Sequence, residues 1–172
     1  MRMKTRPEPA ARCGRWLLVL PLCLALALLG APPVAAAGPR LGSGPISGSF
    51  RQTSFVPSNT RTVDGVTSFD FTEQDTLTGS FTGTSLLQGS CVVRASGQGV
   101  CRARETFTGT VDGRSGTAEF QDVSFLDQTT GAIRGSFTIV GGTGDLANLH
   151  GRGTFQGVGT TGTYAGQVVV AP

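Results

Sequence analysis

Alternation of apolar and polar residues is the feature that most constrains the fold of this chain, and it begins at Ile46. From Phe69 to Glu73, and again from Tyr164 to Val170, every second residue belongs to one face. A period of two is typical of β-strands, whose side chains point to opposite faces of a sheet. No segment of helical length after the first 45 residues carries an apolar stripe of period 3.6. The pattern therefore predicts an all-β domain.

Clusters of turn-forming residues divide the alternating sequence into short segments. Gly, Asp, Asn and Ser concentrate at 57–59, 63–65, 112–116 and 127–131, and such clusters favour turns between strands. Segment 144–151 has room for at most one helical turn. Eight or nine strands at this spacing favour an antiparallel barrel or a sandwich. The predicted strands are 46–55, 66–74, 78–88, 91–95, 100–111, 116–125, 132–140, 152–157 and 162–170.

The first 37 residues have the three parts of a secretory signal peptide. Five basic residues precede or begin an apolar run, Trp16–Leu29, which Gly30 and two prolines end, and three alanines follow at 35–37. Signal peptidase cleaves after such small residues, so we predict cleavage before Gly38 and a secreted or cell-envelope protein. A spanning helix needs about 20 apolar residues. Because this run has only 14, we expect no stable membrane anchor after cleavage.

An uncleaved anchor and a lipid anchor on Cys23 are the alternatives, and the apolar residues after Cys23 disfavour the second. In the predicted mature chain, residues 38–45 form a flexible tether, and residues 46–172 form the β-domain. Nine arginines stand against ten acidic residues there, a net charge of −1. This balance gives no electrostatic basis for binding nucleic acid.

Two cysteines remain in the mature chain, Cys91 and Cys101, and they flank a turn-like ASGQG segment at 95–99. An exported protein folds in an oxidising compartment, where disulfides persist. If the flanking strands form a hairpin with these residues opposite each other, their Cβ atoms come within disulfide range. We therefore predict a Cys91–Cys101 disulfide. A metal pair is the alternative, but no His or third Cys lies nearby.

Most of the mature chain, residues 66–170, resembles an uncharacterised bacterial family of domains of unknown function. The matching positions are Glu105, Phe107, Gly109, Gly113–Gly116, Gly142–Gly144, Leu146, Ala147, Leu149, Gly151 and Gly153. Members often carry Trp where Phe137 and Ile139 stand here. The family is similar in turn to the barrel of allene oxide cyclase, so the resemblance implies a lipocalin-like antiparallel barrel. It implies an architecture and no established activity.

Two glutamates are candidate catalytic residues because strand alternation places them beside phenylalanines. Glu73 shares a face with Phe69 and Phe71, and Glu105 shares one with Phe107. If this face points into a barrel, burial would raise the pKa of either carboxyl, as in general acids. The simpler interpretation, which we favour, is that each Glu lies at a strand end or pairs with an arginine. The arginines considered for such pairs are Arg102, Arg104 and Arg134.

Phenylalanine is the main large hydrophobic residue of the domain, since all ten phenylalanines of the chain lie after the signal segment. We expect the mid-strand aromatic residues to fill the core. The alternative is that some of them line a small-ligand cavity at the mouth of the barrel. The candidate cavity residues are Phe69, Phe71, Phe81, Phe107, Phe120, Phe137 and Tyr164.

No other motif predicts a catalytic or metal site. Gly157-x-Gly159-x-x-Gly162 has the spacing of a dinucleotide fingerprint but precedes a strand rather than a helix. His150 is the only histidine, and we predict a surface or loop position for it because a metal site needs several ligands. We therefore expect neither a metal nor a cofactor.

These observations favour a secreted, non-enzymatic barrel that binds a small apolar molecule. One alternative is a cyclase- or isomerase-like enzyme acting on a lipid-derived substrate, which the similarity to allene oxide cyclase implies. Such catalysis needs little more than shape and one carboxylate. The other alternative is a structural or interaction protein of the cell envelope.

Overall fold

The computed structural model describes residues 42–171, which contain eight β-strands. Every strand pairs antiparallel with the next one along the chain, and the last returns to pair with the first. The sheet therefore closes in a ring, here called the barrel, and the prediction of an all-β antiparallel fold is confirmed. The strands are β1 Gly44–Val63, β2 Val66–Gly79, β3 Phe81–Arg94, β4 Gln98–Val111, β5 Arg114–Asp127, β6 Ala132–Gly144, β7 Leu149–Val158 and β8 Thr161–Val170.

The predicted signal peptide and residues 38–41 of the predicted tether lie outside the described residues. Gly44 and Pro45, which were also assigned to the tether, instead begin β1. They pair with Val168 and Gln167 of β8. The tether prediction is wrong at these two residues because β8 is long enough to supply them with backbone partners.

The structure has eight strands rather than nine because β3 is continuous. The sequence predicts separate strands at 78–88 and 91–95, with a break at residues 89–90, yet β3 runs through both positions. Gly89 lies opposite Phe71 of β2, and a Cβ at Gly89 would overlap the phenylalanine ring. This glycine is therefore a packing site for the ring and not a turn.

The predicted turn at 57–59 is also wrong, since β1 continues through it. The register of β1 with β8 ends at Arg51, so the second half of β1 has a strand on one side only. Proline is tolerated on such an edge because its missing N–H deprives no neighbouring strand of a hydrogen bond. A register shift between Ser58 and Arg61 takes up the irregular residues.

Aromatic side chains inside the barrel lie directly across from glycines of the neighbouring strand. At each of these glycines an added Cβ would overlap the facing ring. A ring that covers such a glycine replaces the side-chain contacts that the glycine lacks. This arrangement explains why the domain is rich in both residue types. The pairs are Phe50–Gly162, Phe71–Gly89, Phe137–Gly153, Phe155–Gly135 and Tyr164–Gly48.

One end of the barrel is packed with side chains, and we call it the closed end. The β2–β3, β4–β5 and β6–β7 turns lie there. Leu146, from the β6–β7 turn, is fully buried and plugs this end. Segment 144–151 contains no helix, in line with the prediction of at most one helical turn: residues 145–148 form a turn between β6 and β7, with a hydrogen bond from the Leu149 N–H to the Leu146 carbonyl. The buried cluster of the closed end is Ile46, Leu77, Phe81, Phe107, Val111, Ala118, Phe120, Phe137, Ile139, Leu146, Leu149, Tyr164 and Val168.

Tyr164 connects strands that are not neighbours in the ring. Its hydroxyl accepts a hydrogen bond of 2.9 Å from the Phe81 N–H and donates one of 3.1 Å to the Thr78 carbonyl. The side chain reaches β2 and β3 from β8 by passing over Gly48 of β1, where a Cβ would block it. These bonds fix the closed end against the rest of the sheet.

Candidate functional site

The other half of the barrel interior contains a cavity of about 310 Å³. Gln128 and Gly131, from the β5–β6 turn, line it together with Gly159 from the β7–β8 turn. We call this half the open end. The cavity lies between these turns and the packed core of the closed end, so a bound molecule would rest on that core.

Aromatic rings form most of the wall of the cavity. Six of the seven aromatic candidates line it, whereas Phe107 is wholly buried in the closed end, with its ring centroid 5.1 Å from that of Phe81. Sequence analysis missed three phenylalanines at the open end, among them Phe55, which stacks on Phe71 at a centroid distance of 5.5 Å. The aromatic lining is Phe50, Phe55, Phe69, Phe71, Phe81, Phe120, Phe137, Phe155 and Tyr164.

Four carboxyl groups form the polar floor of the cavity. Glu73 and Asp75 lie two residues apart on β2, Glu105 lies on β4 and Asp122 on β5. Asp75 and Asp122 are each only 7% exposed. Glu73 and Glu105 are half-buried, and both line the cavity. These four residues are called the carboxyl floor below.

The register of the sheet brings the carboxyl floor together. Leu87 of β3 pairs with Glu73 on one side and with Glu105 on the other. Glu105 in turn pairs with Phe120 of β5, so Asp122, two residues further along, lies diagonally across from it. Diagonal neighbours on one face of a sheet are within reach of long side chains. The four carboxyl groups are therefore close enough for the charge of one to change the pKa of another.

Sequence analysis identified Glu73 and Glu105 but missed the two aspartates. Asp75 follows Glu73 by two positions, and Asp122 follows Phe120 by two positions. Alternation along each strand therefore already placed both aspartates on the inward face. The missing information was the register between strands, which brings the carboxyls of β2, β4 and β5 to one place.

No basic side chain compensates the carboxyl floor among the described residues that line the cavity. The favoured prediction, that each Glu ends a strand or pairs with an arginine, is wrong. Glu105 lies in the middle of β4, and Arg102 and Arg104 on the same strand are exposed, as is Arg134 on β6. Strand alternation sends these arginines to the outer face, because each is an odd number of positions from an inward residue of its own strand.

Glu105 and Asp122 form one interacting pair within the floor. Burial, and then the charge of Asp122, raise the pKa of Glu105 to about 8, which the nearby Ser85 hydroxyl opposes only in part. Burial raises the pKa of Asp122 to about 7, and its interaction with Glu105 lowers it in part. Burial and the proximity of two like charges both disfavour ionisation of the second carboxyl. At neutral pH the Glu105–Asp122 pair is therefore partly protonated.

Asp75 and Glu73 form the second pair. Burial, followed by the charges of Glu73 and Glu105, raises the pKa of Asp75 to about 8. Burial also raises the pKa of Glu73, against the stabilising influence of Gln52 and Asp75. The Glu73–Asp75 pair is therefore also partly protonated at neutral pH. The four carboxyls titrate as a coupled set and carry fewer than four charges at neutral pH.

Apart from the contacts of the floor carboxyls with one another and with Ser85, several polar atoms of the floor have no hydrogen-bond partner within residues 42–171. They are Oδ1 of Asp75, Oγ of Ser85 and both Oδ atoms of Asp122. A buried polar atom without a partner costs about 1–3 kcal/mol. The floor can therefore accept hydrogen bonds from a molecule bound above it.

The remaining motifs lie away from the cavity or lack the geometry for their chemistry. His150 is exposed near the start of β7, as predicted. Gly157, Gly159 and Gly162 flank the tight β7–β8 turn rather than a helix, which excludes a dinucleotide fingerprint. In the described part of the chain, no three His, Cys, Asp or Glu residues are grouped to hold a metal ion. The same residues include no helix that is long and apolar enough to cross a membrane.

The predicted disulfide is present between Cys91 and Cys101. The two residues lie directly opposite each other on β3 and β4, with their Cα atoms 4.1 Å apart. Both line the cavity, where they pack against Phe71. The disulfide therefore fixes the wall of the open end.

The model of a family described as a protein of unknown function, DUF3224, matches residues 46–165. The chain belongs to the DUF3224 family. A DUF3224 protein of unknown function from Shewanella oneidensis MR-1, solved by crystallography at 1.84 Å, has a similar fold. The two are 21% identical, with a TM-score of 0.64 over 76% of this chain and 99% of that one. No curated protein matches this DUF3224 chain.

Proposed function

We propose that this DUF3224 protein binds a small molecule with an apolar body inside its barrel. One observation carries the proposal: the cavity joins an aromatic wall to a floor of polar atoms without partners. Sites for small molecules are commonly apolar cavities with a few convergent polar groups. The apolar body of the ligand would contact the rings, and its polar group would contact the carboxyl floor.

The proposal includes the type of barrel and the compartment. We propose a lipocalin-like barrel of the kind found in allene oxide cyclase, in a protein exported from the cytoplasm. Eight antiparallel strands around a ligand-sized cavity support the first statement. The signal pattern of residues 1–37 and the Cys91–Cys101 disulfide support the second, because disulfides persist in oxidising compartments.

Blocking the cavity tests the proposal. Ala103 lines the cavity and lies between Gly89 and Asp122 in the sheet, so the indole of Ala103→Trp would fill the volume. Val100→Trp is the matched control, because Val100 lies on the outer face of the same strand and is 39% exposed. The fluorescent probe is 1-N-phenylnaphthylamine. We expect Ala103→Trp to bind it at least about tenfold more weakly than Val100→Trp, a difference of about 1.4 kcal/mol. Equal affinities would contradict binding inside the barrel.

A second candidate function is proton transfer in a cyclase- or isomerase-like reaction. The observation that favours it is the Glu105–Asp122 pair, which is partly protonated at neutral pH inside a ligand-sized cavity. Such pairs are typical of acid–base sites. The protein would be incubated in D₂O with a lipid extract of its native host and the lipids examined by mass spectrometry. Deuterium incorporation that Glu105→Gln abolishes is expected, and equal incorporation with both proteins would contradict the enzyme.

A further inference from the structure

We infer that the molecule bound in the cavity carries a protonated amine, which sits on the carboxyl floor while its apolar body contacts the aromatic wall. This inference rests on the proposed function and names the chemical class of the ligand. Glu73, Asp75, Glu105 and Asp122 face one cavity, and no Arg, Lys or His is among the described residues that line it. The floor is an acceptor surface, and the described residues that line the cavity supply no cation to it.

The cost of burying the floor gives the first reason. An ionised carboxylate that leaves water without a partner loses several kcal/mol of hydration. Asp75 and Asp122 are each 7% exposed, and apart from contacts with the other floor carboxyls, three of their four carboxyl oxygens make no hydrogen bond within residues 42–171. An ammonium group supplies one positive charge and three N–H donors. It therefore offers these carboxyls the positive charge and the hydrogen-bond donors that the residues lining the cavity do not supply.

The wall gives the second reason. Cations are attracted to the faces of aromatic rings, and rings surround the floor on several strands. Phe71 and Phe120 lie on the same inward faces as Glu73 and Asp122, each two residues away along its strand. The rings therefore favour a cationic group that approaches the floor, and they also hold an apolar body above it.

A metal ion is a poorer occupant than an amine. The carboxyl floor is spread over β2, β4 and β5, and it is not grouped as metal ligands are within the described residues. A cavity of about 310 Å³ with nine aromatic residues in its wall is also far larger and more apolar than an ion requires. An organic ammonium uses both the floor and the wall.

If the ligand carries a protonated amine, its binding affinity should depend on pH in a definite direction. The titratable groups that face the cavity are Glu73 and Asp75 from β2, Glu105 from β4, Asp122 and Asp127 from β5, and Tyr164 from β8. The inward residues of β1, β3, β6 and β7 that line the cavity are uncharged. A bound ammonium favours the ionised carboxyls, so binding releases protons and tightens as the pH rises through about 7 to 8. A neutral ligand that accepts hydrogen bonds from protonated carboxyls would show the opposite sign.

Three probes with one apolar body test the inference on the purified protein. They are 2-phenylethylamine, 2-phenylethanol and 3-phenylpropanoate, which differ in carrying a positive, no or a negative charge. Isothermal titration calorimetry at about pH 8.5 is expected to give the amine at least about tenfold higher affinity than the alcohol, and the carboxylate the weakest binding. At about pH 5.5 the preference for the amine is expected to fall below about threefold.

Variants assign the preference to the floor. Glu105→Gln and, as a second variant, Asp122→Asn are each expected to lower amine affinity about tenfold at pH 8.5 while leaving affinity for the alcohol within about twofold. Retained binding of the alcohol shows that each variant is folded. Glu119→Gln is the matched control and is expected to change neither affinity. Glu119 is exposed on the outer face of β5, where it accepts a hydrogen bond from Thr106.

The outcomes separate this inference from the function on which it rests. If the amine and the alcohol bind equally at about pH 8.5, or if the amine binds more tightly at low pH, the inference of an amine ligand is overturned. The cavity then remains a binding site for a different class of molecule. If the variants of the floor bind the amine as the wild type does, the inference of an amine ligand is likewise overturned. If none of the three probes binds and Ala103→Trp leaves 1-N-phenylnaphthylamine binding unchanged, both proposals fail.

Discussion

The closed end and the open end of this barrel are built from the same strands, yet their interiors differ in kind. On β2, Leu77 belongs to the apolar cluster of the closed end, at the border of the cavity, whereas Asp75 and Glu73, two and four residues earlier, form part of the polar floor of the cavity. The backbone pairing is continuous across this boundary. Strand geometry therefore decides which residues point inward, and the identity of those residues decides whether the interior is packed or hollow.

A cavity-creating substitution at each end should give the largest contrast. Phe107 is 0% exposed, it does not line the cavity, and its ring centroid lies 5.1 Å from that of Phe81. Phe107→Ala is expected to lower the free energy of unfolding by about 3–5 kcal/mol, because the closed end cannot collapse onto the lost volume. Phe55→Ala at the open end is expected to cost only about 1 kcal/mol, since Phe55 is already 42% exposed. Denaturant unfolding measures both, and equal losses would contradict the contrast.

An added methyl group tests the boundary between the two ends. Gly153 lies beneath Phe137, where a Cβ would overlap the ring. Gly153→Ala is expected to destabilise the fold by about 2–3 kcal/mol, because the ring and the facing strand must shift. Gly141→Ala is the control, since a Cβ there meets nothing within 4 Å, and its effect should stay within about 0.5 kcal/mol. A Gly153→Ala protein as stable as the control would show that Phe137 moves freely into the cavity.

The alternation of the sequence was enough to predict the class of fold and the inward face of most strands. Phe69, Phe71 and Glu73 do share the inward face of β2. The Cys91–Cys101 disulfide also followed from the sequence, because two cysteines around a short turn have few other partners. These features are local, and each depends on one strand or one hairpin.

The carboxyl floor could not be predicted because it depends on register between strands. Nothing within β4 shows that Glu105 pairs with Leu87 and that Leu87 pairs in turn with Glu73. The same lack of cross-strand information explains the wrong break at Gly89, which looks like a turn until Phe71 is placed over it. Glycine marked a turn in some places and a ring contact in others, and only the neighbouring strand distinguishes them.

The open end should also make stability depend on pH in a direction unusual for acidic residues. Burial and the neighbouring carboxyls raise the pKa values of Asp75, Glu105 and Asp122 to about 8, 8 and 7 in the folded chain, against ordinary values of 3.8, 4.5 and 3.8. At pH values between the ordinary and the raised pKa of each group, the folded chain keeps protons that the unfolded chain releases. Their stabilising contribution is therefore complete below about pH 4 and is lost as the pH rises to about 8.

We expect the free energy of unfolding to fall by at least about 2 kcal/mol between pH 5 and pH 9. Denaturant unfolding at a series of pH values measures this change. Glu105→Gln should weaken the dependence and should stabilise the fold at pH 9, because the neutral amide has no charge to bury. Stability that rises with pH over this range would contradict the account.

The central claim is that the open end keeps protons on buried carboxyls at neutral pH, and a carboxyl ¹³C NMR titration tests it most directly. Protein labelled at Asp and Glu side chains would be titrated from about pH 3 to 10, with Asp75→Asn and Glu105→Gln used to assign the signals. We predict that Asp75 and Glu105 titrate with pKa values of about 8. Titration of all four carboxyls of the floor near pH 4, the ordinary range of carboxyl groups, would contradict the claim.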